Sequence, residues 1–467
     1  MSNNSNLNPS SGNKLKFVIF SIIGVFLFMI PIPDGDGAFN IPLGYAINWL
    51  GLTLNSIVIN DLGFLALLAA IFITISTIGS ILAYTVKPAF IMNNERIKNL
   101  FLCHPVYFVS KIIALIFVWM VYLSVGPTFI IGEEPWLRGQ LMLDLIAGGS
   151  SGSNLLSIFL ILGITIPLLT DFGLMEFLGI LIRKVIRGLF TLPGRSSIDL
   201  LGSWFSSSAA SVLITTDQHE KGYYTGREAA AICVNFTLVS LPFTFVVANT
   251  IGIAEHFGLF YLVICVTTII LAIIMPRIPP LSMIKDEYLP GVGKQIDEDD
   301  IPANVSRLEY ATKLASEKAS KATAGGVIKS GMMNWLNIFM DLIPVIMAWG
   351  TLALIIEDET DIFATLGAPF AWMLNALGVE GALDAASATV VGFIDMFIPA
   401  FMLGDAPFPA QFVIGALSII QIIYMAETGI LILKSKIPLN IIHLLILFVM
   451  RTILAIPIVV LLFNILY

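Results

Sequence analysis

Along most of its length this chain is built from apolar runs of roughly 17 to 25 residues, each long enough as a helix to cross about 30 Å of hydrocarbon. Such runs must satisfy their own backbone N–H and C=O groups where no water can, and only helices or closed barrels do so. Composition agrees: 57% of the 467 residues are hydrophobic and 12% are charged, where soluble domains carry about a quarter. Mean hydropathy is +0.92. Nucleic-acid binding, secretion and soluble enzymology are excluded as classes. The net charge of −8 says little about partners, because only loop charges meet water. Cys103, Cys233 and Cys265 are far apart and form no CxxC pair, so neither a zinc site nor a disulfide framework is expected.

The first run, from Phe17 to Ile32, follows Lys14 and Lys16 and precedes Pro33, Asp34 and Asp36. It lacks a small-residue cleavage site and reads as a retained signal anchor. Further spans are expected at 62–85, 105–131, 152–170, 227–250, 256–275, 333–356, 409–433 and 438–465, about nine in all. Lys14 and Lys16 place the N-terminus inside, Lys87, Arg96 and Lys98 bring the chain back inside, and Glu133 and Glu134 lie outside. The segment 171–191 reads as an amphipathic interfacial helix leading to the inside cluster Arg183, Lys184, Arg187 and Arg195.

Parity then requires something other than simple spans in two places. If 196–224 crossed the membrane, the basic linker 276–332, with Arg277, Lys285, Lys294, Arg307, Lys313, Lys318, Lys321 and Lys329, would lie outside. A re-entrant hairpin turning at Ser206, Ser207 and Ser208 keeps it inside. Likewise Glu357, Asp358, Glu359 and Asp361 are outside and Lys434 and Lys436 inside, with one span, 409–433, to separate them. The segment 380–405, broken by Gly392 and Pro399, must therefore enter and leave from the outside as two half-helices.

The two halves repeat one order of parts at an offset of about 180 to 186 residues, with opposite entry sides, the inverted repeat of secondary transporters. Ser197-Ile198-Asp199-Leu200 matches Ala382-Leu383-Asp384-Ala385. Asn235, Thr237, Ser240 and Pro242 interrupt one following span, and Gln421, Glu427, Thr428 and Gly429 interrupt the other. The expected fold is thus an all-α polytopic membrane protein with about nine transmembrane helices and two oppositely oriented re-entrant hairpins. Its expected parts are scaffold helices 1–150, a first gate repeat 151–275, a cytoplasmic linker 276–332 and a second gate repeat 333–467.

Three words in the first half, Pro193-Gly194-Arg195-Ser196, Gly202-Ser203 and Glu220-Lys221-Gly222-Tyr223-Tyr224-Thr225-Gly226-Arg227-Glu228, carry a resemblance. They resemble the YjiH-type bacterial membrane proteins with nucleoside-recognition gate domains, which are similar in fold to concentrative nucleoside transporters. The words lie within 193–228, and the likeness of topology spans most of 150–465. The resemblance implies hairpins meeting near the midplane, an elevator-like transport domain, an outer scaffold from the first three spans and a homo-oligomer. It also implies the bacterial cytoplasmic (inner) membrane, in which the charge pattern puts the N-terminus inside and the C-terminus outside.

Hairpin tips expose unpaired backbone groups that hold polar solutes. The tip candidates are Ser206, Ser207 and Ser208 and the stretch Gly392 to Asp395; the serines serve equally as small residues for close helix packing. Asp395 and Glu427 sit in apolar runs, where a carboxylate costs at least roughly 2.5 kcal/mol and persists facing a cavity or a partner. They would hold a substrate amine, a sodium ion or a proton, or else belong to a structural ion pair. Asn235, Thr237, Gln421 and Thr428 would supply neutral polar atoms to solute or between helices. Arg451, in the last span, is expected to meet a carboxylate or to snorkel, with a substrate carboxylate as a further role. The four histidines do not cluster as a metal site, His443 standing alone in an apolar span.

These readings converge on a secondary active transporter of a small polar organic solute, an amine such as an amino acid, coupled to Na⁺ or H⁺. A nucleoside transporter and a non-transporting membrane sensor or assembly factor are the alternatives. No HExxH or GxxxxGK[ST] motif is present, which argues against a zinc protease or an ATPase. No cofactor is expected beyond a coupling ion. The expected partners are the solute, the lipid bilayer and further copies of the chain, and not nucleic acid.

Overall fold

A computed structural model describes residues 11–30, 32–33, 39–59, 62–103, 105–127, 130, 139, 143, 146–147, 155–190, 192–194, 196–205, 208–292 and 305–467. Of the residues singled out in the sequence, Asp34, Asp36, His104, Glu133, Glu134, Arg195, Ser206, Ser207 and Lys294 lie outside that set. The described chain is helical apart from two minimal strand pairs, Ile32–Pro33 with Phe39–Asn40 and Val58–Ile59 with Leu62–Gly63. It is an all-α polytopic membrane protein.

Among the described residues, six helices are long and apolar enough to cross a bilayer: Ser11–Phe28, Phe64–Thr85, Pro105–Tyr122, Ala254–Arg277, Phe408–Lys434 and Ile441–Leu466. Leu155–Thr170 and Leu174–Phe190 make a seventh candidate as a pair bent by 54°. The other two expected spans are helical but interrupted. The stretch 227–250 divides into Gly226–Asn235 and Leu241–Thr250, because Pro242 carries no N–H and Ser240 caps the second helix at the Phe243 amide. The stretch 333–356 lies within 324–359, where the helix widens into two π-turns, Ile338–Leu342 and Ile346–Gly350.

The chain forms two compact units. One comprises Met1–Pro42, Thr165–Val327 and Gly367–Tyr467; the other comprises Leu43–Ile164 and Ile328–Leu366. The centre of the first is Phe408–Lys434, packed against Phe257–Ile274 and Ile441–Leu466. Of its most apolar window 67% is buried, against 22% for Ser11–Phe28, so the former is the interior span and the latter a peripheral one.

Around that centre lie two features that position the site. Ser196–Phe205 and Ser208–Glu220 form a helical pair packed on each other. The segment 380–405 departs from expectation: turns fill 380–387, and the two helices are only Ala388–Val391 and Ile398–Met402. Gly381, at φ +77, begins this turn run, and a Cβ there would meet Pro407 Cδ at 2.5 Å, so the chain is held in a tight turn where a half-helix was expected.

The amphipathic helix Leu174–Phe190 packs on Ser196–Phe205 and on the linker helix Arg307–Lys321. Linker residues Ala311, Ala315 and Ala319 are buried, the last two in a cluster with Phe17, and Lys16 donates to the Ala322 carbonyl just beyond the helix end. The linker therefore carries a helix docked on the first unit's own helices. At Gly173, φ +94 turns the chain from Thr170 into this helix, and a Cβ would meet the Ala315 carbonyl oxygen at 2.4 Å.

In the second unit, Phe64–Thr85 packs along Pro105–Tyr122, and the π-widened helix lies against both. Hydroxyls and indoles bridge them: Thr77 Oγ1 donates to the Lys111 carbonyl at 2.8 Å, Trp119 Nε1 to Thr74 Oγ1 at 2.8 Å and Trp349 Nε1 to Ser110 Oγ at 2.8 Å. Gly163 and Gly331 pack backbone to backbone, since a Cβ on Gly331 would meet the Gly163 carbonyl oxygen at 2.3 Å.

Candidate functional site

The interior span stops being a helix at Ile420. Ile422 has φ 62, an unusual conformation for a β-branched residue, and the chain resumes as a π-turn over Met425–Gly429. Thr428 holds the break together. Its Oγ1 accepts from the Tyr424 amide at 3.2 Å and faces the carbonyls of Ile422 and Tyr424 at 3.1 and 3.3 Å. Tyr424 is wholly buried, and its hydroxyl donates back to the Ile419 carbonyl at 2.6 Å.

Both short-helix segments meet this break. The amides of Met425 and Ala426 donate to the carbonyls of Phe393 and Ile394, each at 2.9 Å, tying the span to the bend of 380–405. One residue later, the Glu427 carboxylate accepts from Ser208 Oγ at 2.8 Å and from the Ala209 amide at 3.3 Å. Ser208 begins the 13-residue helix Ser208–Glu220. Its free N–H groups and positive dipole end favour an anion there, and a residue 219 positions away supplies it. Three consecutive residues, Met425 to Glu427, therefore join both segments.

Asp395 is 3% exposed, and its Oδ1 accepts from the Phe397 amide at 2.8 Å, starting the helix Ile398–Met402. Gln421 is fully buried; its Nε2 donates to the Thr389 carbonyl at 2.8 Å and to Thr452 Oγ1 at 3.1 Å. Its Oε1 has no hydrogen-bond partner among the described residues and lies where a Cβ on Gly392 would come within 2.3 Å of it. A side chain at residue 392 would collide with that oxygen.

The first interrupted span places its polar residues differently. Asn235 Nδ2 donates to the Ala231 carbonyl at 2.9 Å and Asn235 Oδ1 accepts from Arg451 Nη1 at 2.9 Å. Thr237 Oγ1 bonds back to the Cys233 carbonyl at 2.6 Å, the helix-terminating role of a hydroxyl rather than an outward one. Of the nine residues expected at the site, Ser208, Glu427, Thr428, Gln421 and Asp395 are brought together around the break, Asn235 joins through Arg451, and Thr237 closes its own helix.

Two expectations about charged residues are corrected. Arg451 neither snorkels nor meets a carboxylate among the described residues: it is 0% exposed and donates to backbone carbonyls and an amide oxygen. Backbone acceptors freed at helix breaks, invisible in the side-chain sequence, are the physical reason. His443 does not stand alone in a span, because it is the third residue of Ile441–Leu466 and closes a capping box with Asn440. At the other end of the Ser208–Glu220 helix, His219 is buried against the Tyr224 carbonyl, while Lys221 with Asp217 and Lys436 with Glu220 make exposed pairs. Thr225 and Glu228 form a capping box, and Thr225 Oγ1 donates to Asp286 at 2.6 Å. Sequence reasoning missed Thr389, Gly392 and Thr452 as partners of Gln421; Gly392 was legible as a breaker alone.

The family profile described as "Gate: Nucleoside recognition" matches residues 153–254, which include Ser208, Asn235 and Thr237. An uncharacterised protein of Alkalihalophilus pseudofirmus (strain OF4) is 43% identical over 450 residues, covering 96% of this chain and 94% of its own. No solved structure matches the chain.

Proposed function

The chain belongs to the YjiH-type family of membrane proteins with a nucleoside-recognition gate domain, a transporter-associated family rather than an enzymatic one, and on that footing we propose that it is a secondary active transporter of a small polar organic solute. The observation that carries this reading is the convergence of both short-helix segments on Met425–Glu427, with a half-buried carboxylate at the N-terminus of one and amides held by the bend of the other. Interrupted helices whose ends face one another are what holds polar solutes in transporters of inverted-repeat design. On this reading Ser196–Glu220 and 380–405 are oppositely oriented re-entrant hairpins, and the two halves of the chain are inverted copies.

Asp395 and Glu427 are the acids that would meet an amine, a sodium ion or a proton, and two acids around one break, Asp395 buried and Glu427 half-buried, favour a solute bearing an amine, such as an amino acid. All of the site lies in one compact unit, as an elevator-like carrier requires of a body that moves with its solute. The chain would sit in a bacterial inner membrane as a homo-oligomer with its N-terminus inside. A second reading, a nucleoside as the solute, is favoured by the description of the matching family profile.

Thermal unfolding of the purified protein, screened against amino acids, simple amines and nucleosides with and without NaCl, tests both. A solute that binds the folded state at 100 times its Kd stabilises it by about 2.7 kcal/mol. Stabilisation by an amine-bearing solute, matched by its uptake into proteoliposomes, is the expected result. Stabilisation by nucleosides alone selects the second reading, and the absence of uptake for every stabilising solute overturns transport.

A further inference from the structure

Arg451 lies mid-way along Ile441–Leu466, fully buried in an apolar helix. A guanidinium at such a place is costly unless compensating negative potential surrounds it. Its Nε donates to the Ile420 carbonyl, and its Nη1 donates to the Val234 carbonyl at 3.3 Å and to Asn235 Oδ1 at 2.9 Å. Nη2 has no hydrogen-bond partner among the described residues.

Val234 and Ile420 occupy equivalent places. Each stands at the end of a helix that stops within an apolar stretch, Gly226–Asn235 in one case and Phe408–Ile420 in the other. Because the chain leaves the helix there, each carbonyl has lost the amide that would have bonded to it one turn later. Each helix end carries about half a negative charge, so two ends together offset about one positive charge. The amide oxygen of Asn235, fixed by its own bond to Ala231, completes the set. Gln421, next to Ile420, donates to Thr452 Oγ1, next to Arg451, and to the Thr389 carbonyl, so the helix that carries Arg451 is tied to the segment 380–405 as well.

We propose that Arg451 is a resident cation: it occupies a site made of two helix-end carbonyls and an amide oxygen, the ligand set that would otherwise hold a monovalent metal ion, and it positions both interrupted helices without one. The proposal stands apart from the identity of the solute and from any coupling ion near Asp395 and Glu427. Its consequence is that loss of the guanidinium opens a site for a small cation. Helix-end carbonyls of this kind coordinate Na⁺ in other transporters.

The test compares melting temperatures of the wild type and Arg451→Ala in NaCl, KCl and choline chloride at equal ionic strength, and with guanidinium chloride at a few millimolar. Arg451→Ala is expected to melt lower than the wild type in choline. It is expected to regain about 3 °C or more in NaCl or low guanidinium, a gain larger than any the wild type shows. A variant whose cation response is no larger than that of the wild type overturns the proposal. If Arg451→Ala yields no folded protein in any salt, Arg451→Lys decides: it keeps the charge but loses the fork. It should fold and show no NaCl gain above that of the wild type. An Arg451→Lys protein as unfolded as Arg451→Ala would mean that shape rather than charge is required, and would equally overturn it.

Discussion

Glu427 shows how one side chain combines cost and use. Its half-buried carboxylate accepts from Ser208 Oγ and the Ala209 amide, and a glutamine in its place keeps an acceptor oxygen for both while removing the charge. Glu427→Gln should therefore abolish uptake, leave oligomer size unchanged and leave the apo melting temperature equal or higher, because relief of desolvation offsets the weaker cap. Asp395→Asn, which keeps an oxygen for the Phe397 amide, should behave alike. Full activity in both would make these acids structural caps, and marked loss of apo stability would show that the charge itself holds the helices. Gly392 offers an independent check of packing. An alanine Cβ would stand 2.3 Å from Gln421 Oε1, and Gln421 is pinned by two bonds of its Nε2. Gly392→Ala should cost about 1 to 3 kcal/mol of stability, and most of the loss should vanish in the double variant with Gln421→Ala, read from unfolding midpoints. Additive losses would mean that the collision is not what Gly392 avoids. The polar residues themselves were legible in the sequence, since Asn235, Gln421, Asp395 and Glu427 stand out against apolar runs. Their pairing was not: Ser208 and Glu427 are 219 residues apart, and the acceptors of Arg451 are mostly backbone oxygens, which every residue carries and no sequence pattern marks.

Between residue and molecule, the elements follow from where helices fail. Apolar length fixed the uninterrupted spans, and Ser240-Leu241-Pro242 marked the break in 226–250, because a capping hydroxyl followed by a residue without an N–H ends one helix and starts another. The break at 421–424 has no proline; Gln421 and the left-handed Ile422 make it, so polarity was its sole signal. The extent of helix in 380–405 was less legible, since Ala, Leu and Val there favour helix while the close approach of Pro407 to Gly381 holds the turn. For both segments, accessibility is the decisive measurement. Single cysteines at residues 200 and 222, in a chain with its three native cysteines replaced, should react with a membrane-impermeant thiol reagent from the same, cytoplasmic face. Cysteines at 358 and 407 should react from outside. Opposite faces for 200 and 222 would make 196–224 a crossing and remove the inverted-repeat scheme. Gly173→Ala tests the neighbouring bend in the same spirit. At φ +94 and 2.4 Å from the Ala315 carbonyl oxygen, the new Cβ should loosen the linker helix and increase proteolysis within 305–322 in the native protein.

For the whole molecule, charge and parity set the orientation. Arg277, Lys285, Arg307, Lys313, Lys318, Lys321 and Lys329 fall in one linker, and positive residues in short loops stay on the cytoplasmic side. The proposed topology puts Lys434 and Lys436 on that side just before the last helix and Glu357 to Asp361 on the other. Ile441–Leu466 has 26 residues, about 39 Å at 1.5 Å per residue, which is more than the hydrocarbon core of about 30 Å, so it crosses once. If the Lys436 end is inside, as the proposed topology has it, Tyr467 should emerge outside. A phosphatase fused after Tyr467 should be active and a fluorescent protein fused there dark, with the opposite pair of results for fusions after residue 292. A bright fusion at Tyr467 would require one crossing more or fewer between the linker and the C-terminus. The segment with the fewest helical residues to make or lose it is 380–405, so that result would assign the error to the second hairpin and leave the first untouched.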